Sequence, residues 1–465
     1  MKDVKQQENT ENEKENKLGV EPVGKLLRQL AIPAITAQVV NVLYNVVDRV
    51  YLGHIPEYGD LALTGVGVCM PIIMLVAAFA ALVSLGGAPR ASVLMGRGKK
   101  EDAERTLGNC FFLLLVMSAL LMVFFYSFAP ALLPIFGASE NTIQYSLQYL
   151  NLYLVGTVFV LLSLGVNAFI TAQGFAKISM ATVMIGAVCN ILLDPVFIFL
   201  FHMGVRGAAL ATVVSQAVSA IWVMRFITGK KTVLRLQRKY IRFNPSIIFP
   251  CLLLGLSPFI MQATESAISI CFNSSLKHYG GDIAVGAMSI LTSVMQFSML
   301  PLVGLAQGAQ PITGYNFGAK NADRVRQTFR YLVKYSFGYS LVLWAICMLF
   351  PRVIPAMFNH DNQELLAYTA RALRYYMALS GIFGIQIACQ QTFIAIGNAK
   401  TSLFLAVFRK VILLIPLIYI LPMFLAEKDI AIFMAEPVAD GIAVLTTALM
   451  FAYQFRNAMR KLEQP

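Results

Sequence analysis

The sequence predicts an all-α, polytopic membrane protein with twelve transmembrane helices in two parallel six-helix repeats. Three observations carry this prediction. The 465 residues are 58% hydrophobic and only 13% charged, with a mean hydropathy of +0.68, which is too apolar for a soluble globular protein. Apolar runs of about 20 residues, the length that crosses a bilayer, recur along the chain. The second half also repeats sequence features of the first.

The predicted elements follow one another in a regular order. Residues 1–24 are polar and mixed in charge, and we expect a disordered cytoplasmic tail there, not a signal peptide. The first half, residues 25–228, is predicted to hold spans at 26–52, 61–84, 107–129, 143–171, 178–201 and 205–227. A basic cytoplasmic linker, 229–246, follows. The second half, residues 247–456, is predicted to hold spans at 247–272, 283–306, 329–350, 366–395, 402–424 and 430–455, before a cytoplasmic tail at 457–465.

The basic residues are distributed unevenly between the two sides of this arrangement. If the N-terminus is cytoplasmic, most lysines and arginines fall in inner loops and most acids in outer loops. The formal net charge of +13 therefore reflects topology. We expect both termini in the cytoplasm, the protein in the plasma membrane, and contact with the lipid bilayer but not with nucleic acid.

An internal repeat relates the two halves. Pro33 in AIPAI matches Pro258 in LSPFI at an offset of 225, and residues 173–177 match 396–400 at an offset of 223. After the second and eighth spans, an offset of 220 places Gly98 on Gly318. Because each half holds an even number of spans, the repeats share one orientation and are related by an axis along the membrane normal.

A polar stripe runs along the first span. Its members are Gln38, Asn41, Asn45 and Asp48. They are spaced 3, 4 and 3 residues apart, which places them within an arc of about 80° on one helical face. A carboxylate at membrane depth is costly unless it faces a cavity or a partner, which predicts a functional role for Asp48. The amides Gln38, Asn41 and Asn45 are predicted to line the route from Asp48 into a substrate cavity. The alternative is that Asp48 reaches headgroup water near the helix end.

The fifth span carries a second polar pair. Asn190 and Asp194 lie one turn apart on one face, and counting from the span ends places Asp48, Asp194 and Thr212 at similar depth. Nearby carboxylates and other oxygen ligands suit a proton or a hard cation such as Na⁺. An interhelical hydrogen bond that holds the bundle together is the alternative role for Asp194.

The repeat restricts such a site to the first half. The counterpart of Asp48 is Asn273, and the counterparts of Asn190 and Asp194 are Val411 and Ile415. A cation or proton site built from these positions would therefore exist only in the N-terminal half.

The second half has a polar face of its own. Residues predicted to line a cavity wall are Gln262, Glu265 and Ser266 on the seventh span and Gln386 and Gln390 on the tenth. Glu265 either attracts a cationic substrate or is a buried acid paired with an amide or with Arg409. Arg409 and Lys410 are expected to snorkel to the cytoplasmic end, and Glu436 is assigned to an outer loop.

The sequence resembles the multidrug and toxic compound extrusion (MATE) transporter family over essentially the whole chain after residue 24. The resemblance is carried by LYNVVDRVYLG (43–53), GRGKKEDA (96–103), CNILLDPVFI (189–198), GVRGAALAT (204–212) and PLVGLAQGAQPITGYNFGAK (301–320). It implies a two-lobe antiporter that exports small amphipathic, often cationic compounds in exchange for H⁺ or Na⁺, with no cofactor. We expect it to act as a monomer.

The resemblance also implies roles for individual residues. It assigns Asp48, Asn190, Asp194 and Thr212 to the cation or proton site, as metal ligands if Na⁺ is the coupling ion. It assigns Gln38, Asn41 and Tyr44 to the lining of the substrate cavity. Another branch of the family adds a C-lobe carboxylate on the tenth span, where this chain has Ile385, so a C-lobe ion site is not expected.

Two other functions fit the sequence less well. A lipid-linked oligosaccharide flippase of the same superfamily should have a cavity rich in arginine and lysine for pyrophosphate, whereas the membrane positions here are acidic or amide. A membrane-embedded enzyme is disfavoured because all four histidines fall in predicted outer loops and no HExxH or GxSxG motif occurs. A P-loop motif is also missing, so ATP is not expected to be the direct energy source.

Overall fold

The computed structural model describes residues 17–356 and 363–464, apart from the side chain of Ser266, and helices form nearly all of this part. The helices of the first half are Val23–Gly53, Gly59–Gly96, Lys100–Ile135, the bent pair Ile143–Val155 and Thr157–Ala172, Ala176–Leu200, and Val205–Ile227. The helices of the second half are Pro245–Gly318, Ala322–Leu349, the bent pair Gln363–Tyr376 and Ser380–Ala395, Ala399–Phe424, and Lys428–Glu463. We refer to the halves as the N-lobe and the C-lobe.

These helices provide the twelve predicted spans. Within the described residues, nine helices are long and apolar enough to cross a membrane, and the two bent pairs raise the number to eleven. Pro245–Gly318 is 74 residues long and is broken at Gly281, where φ is 65° and ψ is −161°. Its two arms are the seventh and eighth spans, so the prediction of a twelve-helix bundle is confirmed. The predicted loop between these spans is wrong, since helix continues to the break.

The structure corrects the register of the repeat near the ends of the second and eighth spans. The second span ends at Gly96 and the eighth at Gly318, which is an offset of 222 and not the predicted 220. In this register Gly98 corresponds to Lys320, and both adopt a positive φ, 72° and 57°. The sequence match paired glycine with glycine, but in the second repeat a lysine occupies the left-handed position.

The two lobes meet on the side where the first span begins and the second and eighth spans end, which we call the tail side. A Cβ atom on Gly96 would lie 1.9 Å from the Tyr315 carbonyl oxygen, and one on Gly318 would lie 2.0 Å from the Val93 carbonyl oxygen. Val93 and Tyr315 are themselves 222 residues apart. These reciprocal contacts place a pseudo-twofold axis between the second and eighth spans.

Part of the predicted disordered tail is ordered. Residues 1–16 lie outside the described part, but Lys17–Val20 forms a helical turn and Leu18 is 1% exposed. The Asn316 side chain donates a hydrogen bond to the Leu18 carbonyl at 2.9 Å, and Arg324 donates one to the Glu21 carbonyl at 2.7 Å. One buried leucine and these donors hold residues 17–24 against the C-lobe.

The basic linker between the lobes packs against the N-lobe. The Gln173 side-chain oxygen accepts hydrogen bonds from the Thr232 hydroxyl at 2.8 Å and from the Val233 and Leu234 amides at 2.9 and 2.8 Å. A single 3-10 turn, Arg238–Tyr240, follows. Hydrogen bonds to the end of the fourth span therefore fix the position of the linker, in addition to its covalent links to the sixth and seventh spans.

Candidate functional site

Asp48, Asn190 and Asp194 converge in the interior of the N-lobe. Their exposed fractions are 6%, 2% and 0%. The Asn190 side-chain amide donates a hydrogen bond to Asp194 Oδ1 at 3.3 Å, and the carboxyl groups of Asp48 and Asp194 lie within hydrogen-bonding reach of each other. Asp48 thus faces Asp194 inside the lobe and does not reach water at the helix end.

Three oxygen atoms of this group have no hydrogen-bond partner among the described residues. They are Asp48 Oδ1, Asn190 Oδ1 and Asp194 Oδ2, and all three are buried. A buried polar atom without a partner costs about 1–3 kcal/mol, and more when it is charged. Three such oxygens on residues in direct contact form a place suited to a shared proton or to a hard cation.

Tyrosines complete the wall of this group. The Tyr149 hydroxyl lies close to Thr212, whose own hydroxyl donates to the Ala208 carbonyl at 3.1 Å. Tyr44 lies close enough to Asp48 and Asp194 for their charges to act on its hydroxyl. Tyr149 was missed by the sequence argument, although a signal was present: residues 145, 149 and 153 are tyrosines at four-residue intervals, and so share a helical face.

Two adjoining cavities connect this group to the boundary between the lobes. The smaller, about 40 Å³, lies in the N-lobe and is lined in part by Asn41, Tyr44, Asn190 and Thr212. The larger, about 310 Å³, is lined by N-lobe residues including Gln38 and Asn41 and by Gln262, Gln307 and Gln310 of the C-lobe. Asn41 and Asn167 line both cavities. A row of amides therefore leads from the carboxyl pair to the space between the lobes.

The larger cavity has a neutral lining in which amides and hydroxyls alternate with apolar residues. Gln38 donates a hydrogen bond to Gln307 across the lobe boundary at 3.2 Å. No lysine, arginine or acid is among the residues that line it. Gln307 and Gln310 were missed by the sequence argument, although they stand three residues apart in an apolar span, which is the spacing used to find the stripe on the first span.

Other residues predicted for the cavity lie elsewhere. Gln386 and Gln390 are 2% and 3% exposed in the packed interior of the C-lobe, and Gln390 donates a hydrogen bond to the Ser257 hydroxyl at 3.3 Å. Asn45 is exposed and donates to the Asn41 carbonyl at 2.6 Å. The side chain of Ser266 lies outside the described part. Position on a polar face does not by itself show whether an amide lines a cavity or joins two helices.

The C-lobe contains a largely buried charged cluster, and the sequence argument placed three of its members, Arg409, Lys410 and Glu436, wrongly. Its members are Glu265, Arg409, Lys410, Glu436 and Asp440. Arg409 donates to Asp440 Oδ1 at 2.6 Å and to Glu436 Oε1 at 2.9 Å, and the Lys410 ammonium donates to Glu265 Oε1 at 2.7 Å. Arg409 and Lys410 are 5% and 6% exposed, so the expectation that they snorkel to the cytoplasmic end is wrong.

Local helix geometry explains why the positions of Arg409 and Lys410 were predicted wrongly. Residues Phe408–Leu414 are π-helical, and the wider turn brings two consecutive side chains, Arg409 and Lys410, into the same interior. The assignment of Glu436 to an outer loop is also wrong: Glu436 falls within the predicted span 430–455, and the helix that begins at Lys428 buries it two turns in, with 5% exposure. The sequence argument took Arg409, Lys410 and Glu436 for charges at the ends of spans, whereas they pair with one another or with other charges inside the lobe.

A two-lobe bundle of twelve apolar spans, with a cavity between the lobes and a carboxyl pair buried in one of them, defines a multi-pass membrane transporter. The family model MatE matches the chain twice, at residues 33–196 and 258–420, with the second match starting 225 residues after the first. The chain therefore belongs to the MatE family, which confirms the resemblance found in the sequence and its internal repeat. Members of this family are transporters, not enzymes, and need no cofactor.

Similar proteins and structures agree with this assignment. The chain is 24% identical over 443 residues to the multidrug export protein MepA of Staphylococcus haemolyticus, with 94% of each chain covered. It is 23% identical over 404 residues to the MepA of Staphylococcus aureus strain N315, with 86% and 87% covered. A crystal structure of MATE in the bent conformation has a TM-score of 0.89 at 22% identity, covering 95% of this chain and 97% of that one. An outward-facing multidrug resistance MATE family transporter has a TM-score of 0.88 at 22% identity, covering 97% and 99%.

Proposed function

We propose that this protein is a secondary active antiporter of the plasma membrane that exports small amphipathic, mainly cationic compounds in exchange for H⁺ or Na⁺. The observation that carries the proposal is the set of three partnerless buried oxygens on Asp48, Asn190 and Asp194. An ion bound there would supply the partner that these three oxygens lack. Export of drugs is supported by the names of its relatives, which are multidrug export proteins.

The first span links ion binding to the substrate cavity. Asp48 contributes to the ion site, while Gln38 and Asn41 on the same helix line the space between the lobes. Asn41 and Asp48 are seven residues apart, or roughly 10 Å along the axis at 1.5 Å per residue. Losing the ion would leave two carboxylates in repulsion and favour a different packing of this helix. Coupling requires that ion and substrate each bind the two packings with different affinity.

The contacts between the lobes support an outward-facing state. We take the tail side to be cytoplasmic, because the loops there carry Arg97, Lys99 and Lys100 after the second span and Lys320 after the eighth. The close packing of Gly96 and Gly318 across the lobe boundary lies on that side. It would close the cavity to the cytoplasm, so substrate would leave on the opposite side.

The neutral cavity favours drug export over a lipid-linked oligosaccharide flippase. A pyrophosphate group is recognised by arginine and lysine side chains, which can supply several donors at once. The lining of the larger cavity consists of amides, hydroxyls and apolar side chains, which include Leu85, Leu164 and Met180. Such a lining suits an organic cation or a neutral amphipathic compound better than a pyrophosphate.

Proteoliposomes test the proposal. We expect wild-type protein to drive efflux of the permanent cation tetraphenylphosphonium under an imposed pH gradient or Na⁺ gradient without ATP, and Asp194→Asn to abolish the dependence on that gradient. Asp60→Asn, which removes an acid from an exposed position at the start of the second span, is the matched control and should behave as wild type. Undiminished gradient-driven efflux by Asp194→Asn would contradict the assigned ion site.

A further inference from the structure

Residues 17–22, which precede the first span and which we call the tail segment, lie between the two lobes on the tail side. The Leu18 side chain is 1% exposed and belongs to a buried apolar cluster with Ala176 of the N-lobe and Ile312 of the C-lobe. A Cβ atom on Gly174, at the end of the fourth span, would lie 3.2 Å from Leu18 Cδ2. The same buried leucine therefore packs at the boundary of both lobes.

Two side chains of the C-lobe hold the backbone of the tail segment. Asn316 donates a hydrogen bond to the Leu18 carbonyl at 2.9 Å. Arg324 donates to the same carbonyl at 3.1 Å and to the Glu21 carbonyl at 2.7 Å. From Val23 onward the chain continues into the first span of the N-lobe. The tail segment is thus joined to the N-lobe by the chain and to the C-lobe by these donors.

The tail segment also lies beside the close contact between the second and eighth spans. A Cβ atom on Gly19 would lie 2.9 Å from Cε1 of Tyr315, and the Tyr315 carbonyl is the group against which Gly96 packs. A movement that separates the lobes at this point would also draw apart the surfaces that enclose Leu18. Exposing a buried leucine to water is unfavourable, so the tail segment opposes this movement.

The polar contacts of the tail segment can break without leaving its donors unsatisfied. Asn316 also donates to the Ile312 carbonyl at 2.8 Å, and it keeps that acceptor when the tail segment leaves. Arg324 is half-buried and keeps the Asn316 oxygen, to which its Nε donates at 3.0 Å. The freed carbonyls of Leu18 and Glu21 precede the first span, where water can hydrate them. The main cost of release is therefore the exposure of one leucine side chain.

The corresponding positions of the other repeat carry residues of different chemistry. At the offset of 225 that relates the prolines of the first and seventh spans, Leu18 corresponds to Phe243, which is 55% exposed. At the offset of 222 that relates the ends of the second and eighth spans, Arg324 corresponds to Asp102, whose carboxylate cannot donate to a carbonyl. The pseudo-twofold axis accounts for the paired glycine contacts, whereas the tail segment is an addition on one side of the lobe boundary.

We propose that the tail segment is a clasp that holds the two lobes together on the tail side and is released in every transport cycle. While Leu18 is buried between the lobes, the cavity stays closed on that side. When the lobes part, Asn316 and Arg324 give up the two carbonyls and the leucine leaves. The clasp thereby sets the balance between the two arrangements of the lobes. This inference rests on the proposed export function, which requires a cycle between two arrangements.

The distance between spin labels at Lys177 and Gln327 tests the clasp. Both positions are exposed and lie near the tail-side ends of their helices, one in each lobe. The measurement is pulsed electron paramagnetic resonance on the full chain in detergent, without substrate or ion gradient. The partly exposed native cysteines, Cys189 and Cys271, are first replaced by serine.

Two substitutions should open the tail side. We expect Leu18→Ser to raise the ratio of the open to the closed population by at least about tenfold, the factor that burial of one leucine side chain supplies. Arg324→Met, which removes donors to both carbonyls, should raise the ratio several-fold. Val20→Ser is the matched control for the first, since Val20 belongs to the same helical turn but is 55% exposed. Arg326→Met is the control for the second, because the ion pairs of Arg326 lie within the C-lobe.

A rise in both Leu18→Ser and Arg324→Met, with both controls at the wild-type ratio, supports the clasp. An unchanged ratio in Leu18→Ser would show that the tail segment is only attached to the C-lobe, and the inference would be wrong. An equal rise in Val20→Ser would also contradict it. If Leu18→Ser does not fold, Leu18→Ala replaces it. The distances require no transported compound, so the export proposal is judged separately, by gradient-driven efflux and its loss in Asp194→Asn.

Discussion

Gly318 packs against Val93 across the lobe boundary so closely that a Cβ atom would lie 2.0 Å from the Val93 carbonyl oxygen. Gly96 makes the equivalent contact with Tyr315. Only glycine allows two backbones to approach in this way. The contact belongs to one arrangement of the lobes, so a transporter that alternates between two arrangements must break it in each cycle.

Replacing Gly318 by leucine should therefore push the lobes apart on the tail side. The side chain has no space against the Val93 backbone, and a wedge there favours the opposite arrangement. We expect a several-fold slower export rate and a larger distance between spin labels placed on the tail-side loops at Lys100 and Asn321, measured by electron paramagnetic resonance. Gly338→Leu is the control, since a Cβ atom there meets nothing within 4 Å. Unchanged distances in Gly318→Leu would show that the contact does not hold the lobes together.

A pair of cysteines provides a second test of movement on the tail side. Cys110 of the third span and Cys251 at the start of the seventh are buried, and their thiols lie close enough for each to act on the other's ionisation. A mild oxidant should join them, and the disulfide would tie the seventh span to the N-lobe. We expect export to fall strongly on oxidation and to recover on reduction, with Cys110→Ser insensitive to the oxidant. Full activity of the cross-linked protein would mean that the start of the seventh span moves together with the N-lobe.

The bundle and the polar residues that converge in the N-lobe could be predicted from sequence because both depend on local patterns. A run of 20 apolar residues identifies a span regardless of its neighbours, and 3/4 spacing identifies the face that holds Gln38, Asn41 and Asp48. Asn190 and Asp194 are one turn apart, and the structure joins them by a hydrogen bond. These features require no knowledge of how the helices pack.

The charged cluster of the C-lobe could not be predicted because it depends on packing between spans and on an irregular helix. A π-helical segment at Phe408–Leu414 has no recognisable sequence signal, so consecutive Arg409 and Lys410 looked like the end of a span. The partners Glu436 and Asp440 come from a different helix. For the same reason Gln386 and Gln390 were assigned to a cavity wall although they pack inside the lobe.

Asn190 should set the affinity of the ion site. Its amide donates to Asp194 Oδ1, while its own oxygen has no partner among the described residues and is available to the ion. Asn190→Ala removes a donor and a ligand together. We expect the Na⁺ or H⁺ concentration for half-maximal export to change by about tenfold, as for one hydrogen bond to a charged group, with little change in the maximal rate. The measurement is the initial efflux rate as a function of ion concentration.

A neighbouring amide distinguishes a site effect from a general effect of the substitution. Asn45→Ala removes an exposed amide from the same polar face, and that amide donates to the Asn41 carbonyl and lines neither of the two cavities. We expect its ion dependence to match that of wild type. If Asn190→Ala leaves the ion dependence unchanged while lowering the maximal rate, Asn190 acts in helix packing and does not bind the ion.

Arg409 should contribute far more to stability than an exposed arginine in a similar ion pair. Arg409→Met leaves Glu436 and Asp440, both about 5% exposed, without their shared cation. Breaking a buried pair in this way costs about 3–5 kcal/mol, whereas an exposed pair is worth about 0–1 kcal/mol. Arg371→Met, which removes the exposed pair with Glu427, is the matched control. In detergent we expect Arg409→Met to lower the melting temperature by several degrees and Arg371→Met to leave it almost unchanged. Restoration of the melting temperature by adding Glu436→Gln and Asp440→Asn to Arg409→Met would show that the loss comes from the unpaired acids and not from the missing side-chain volume.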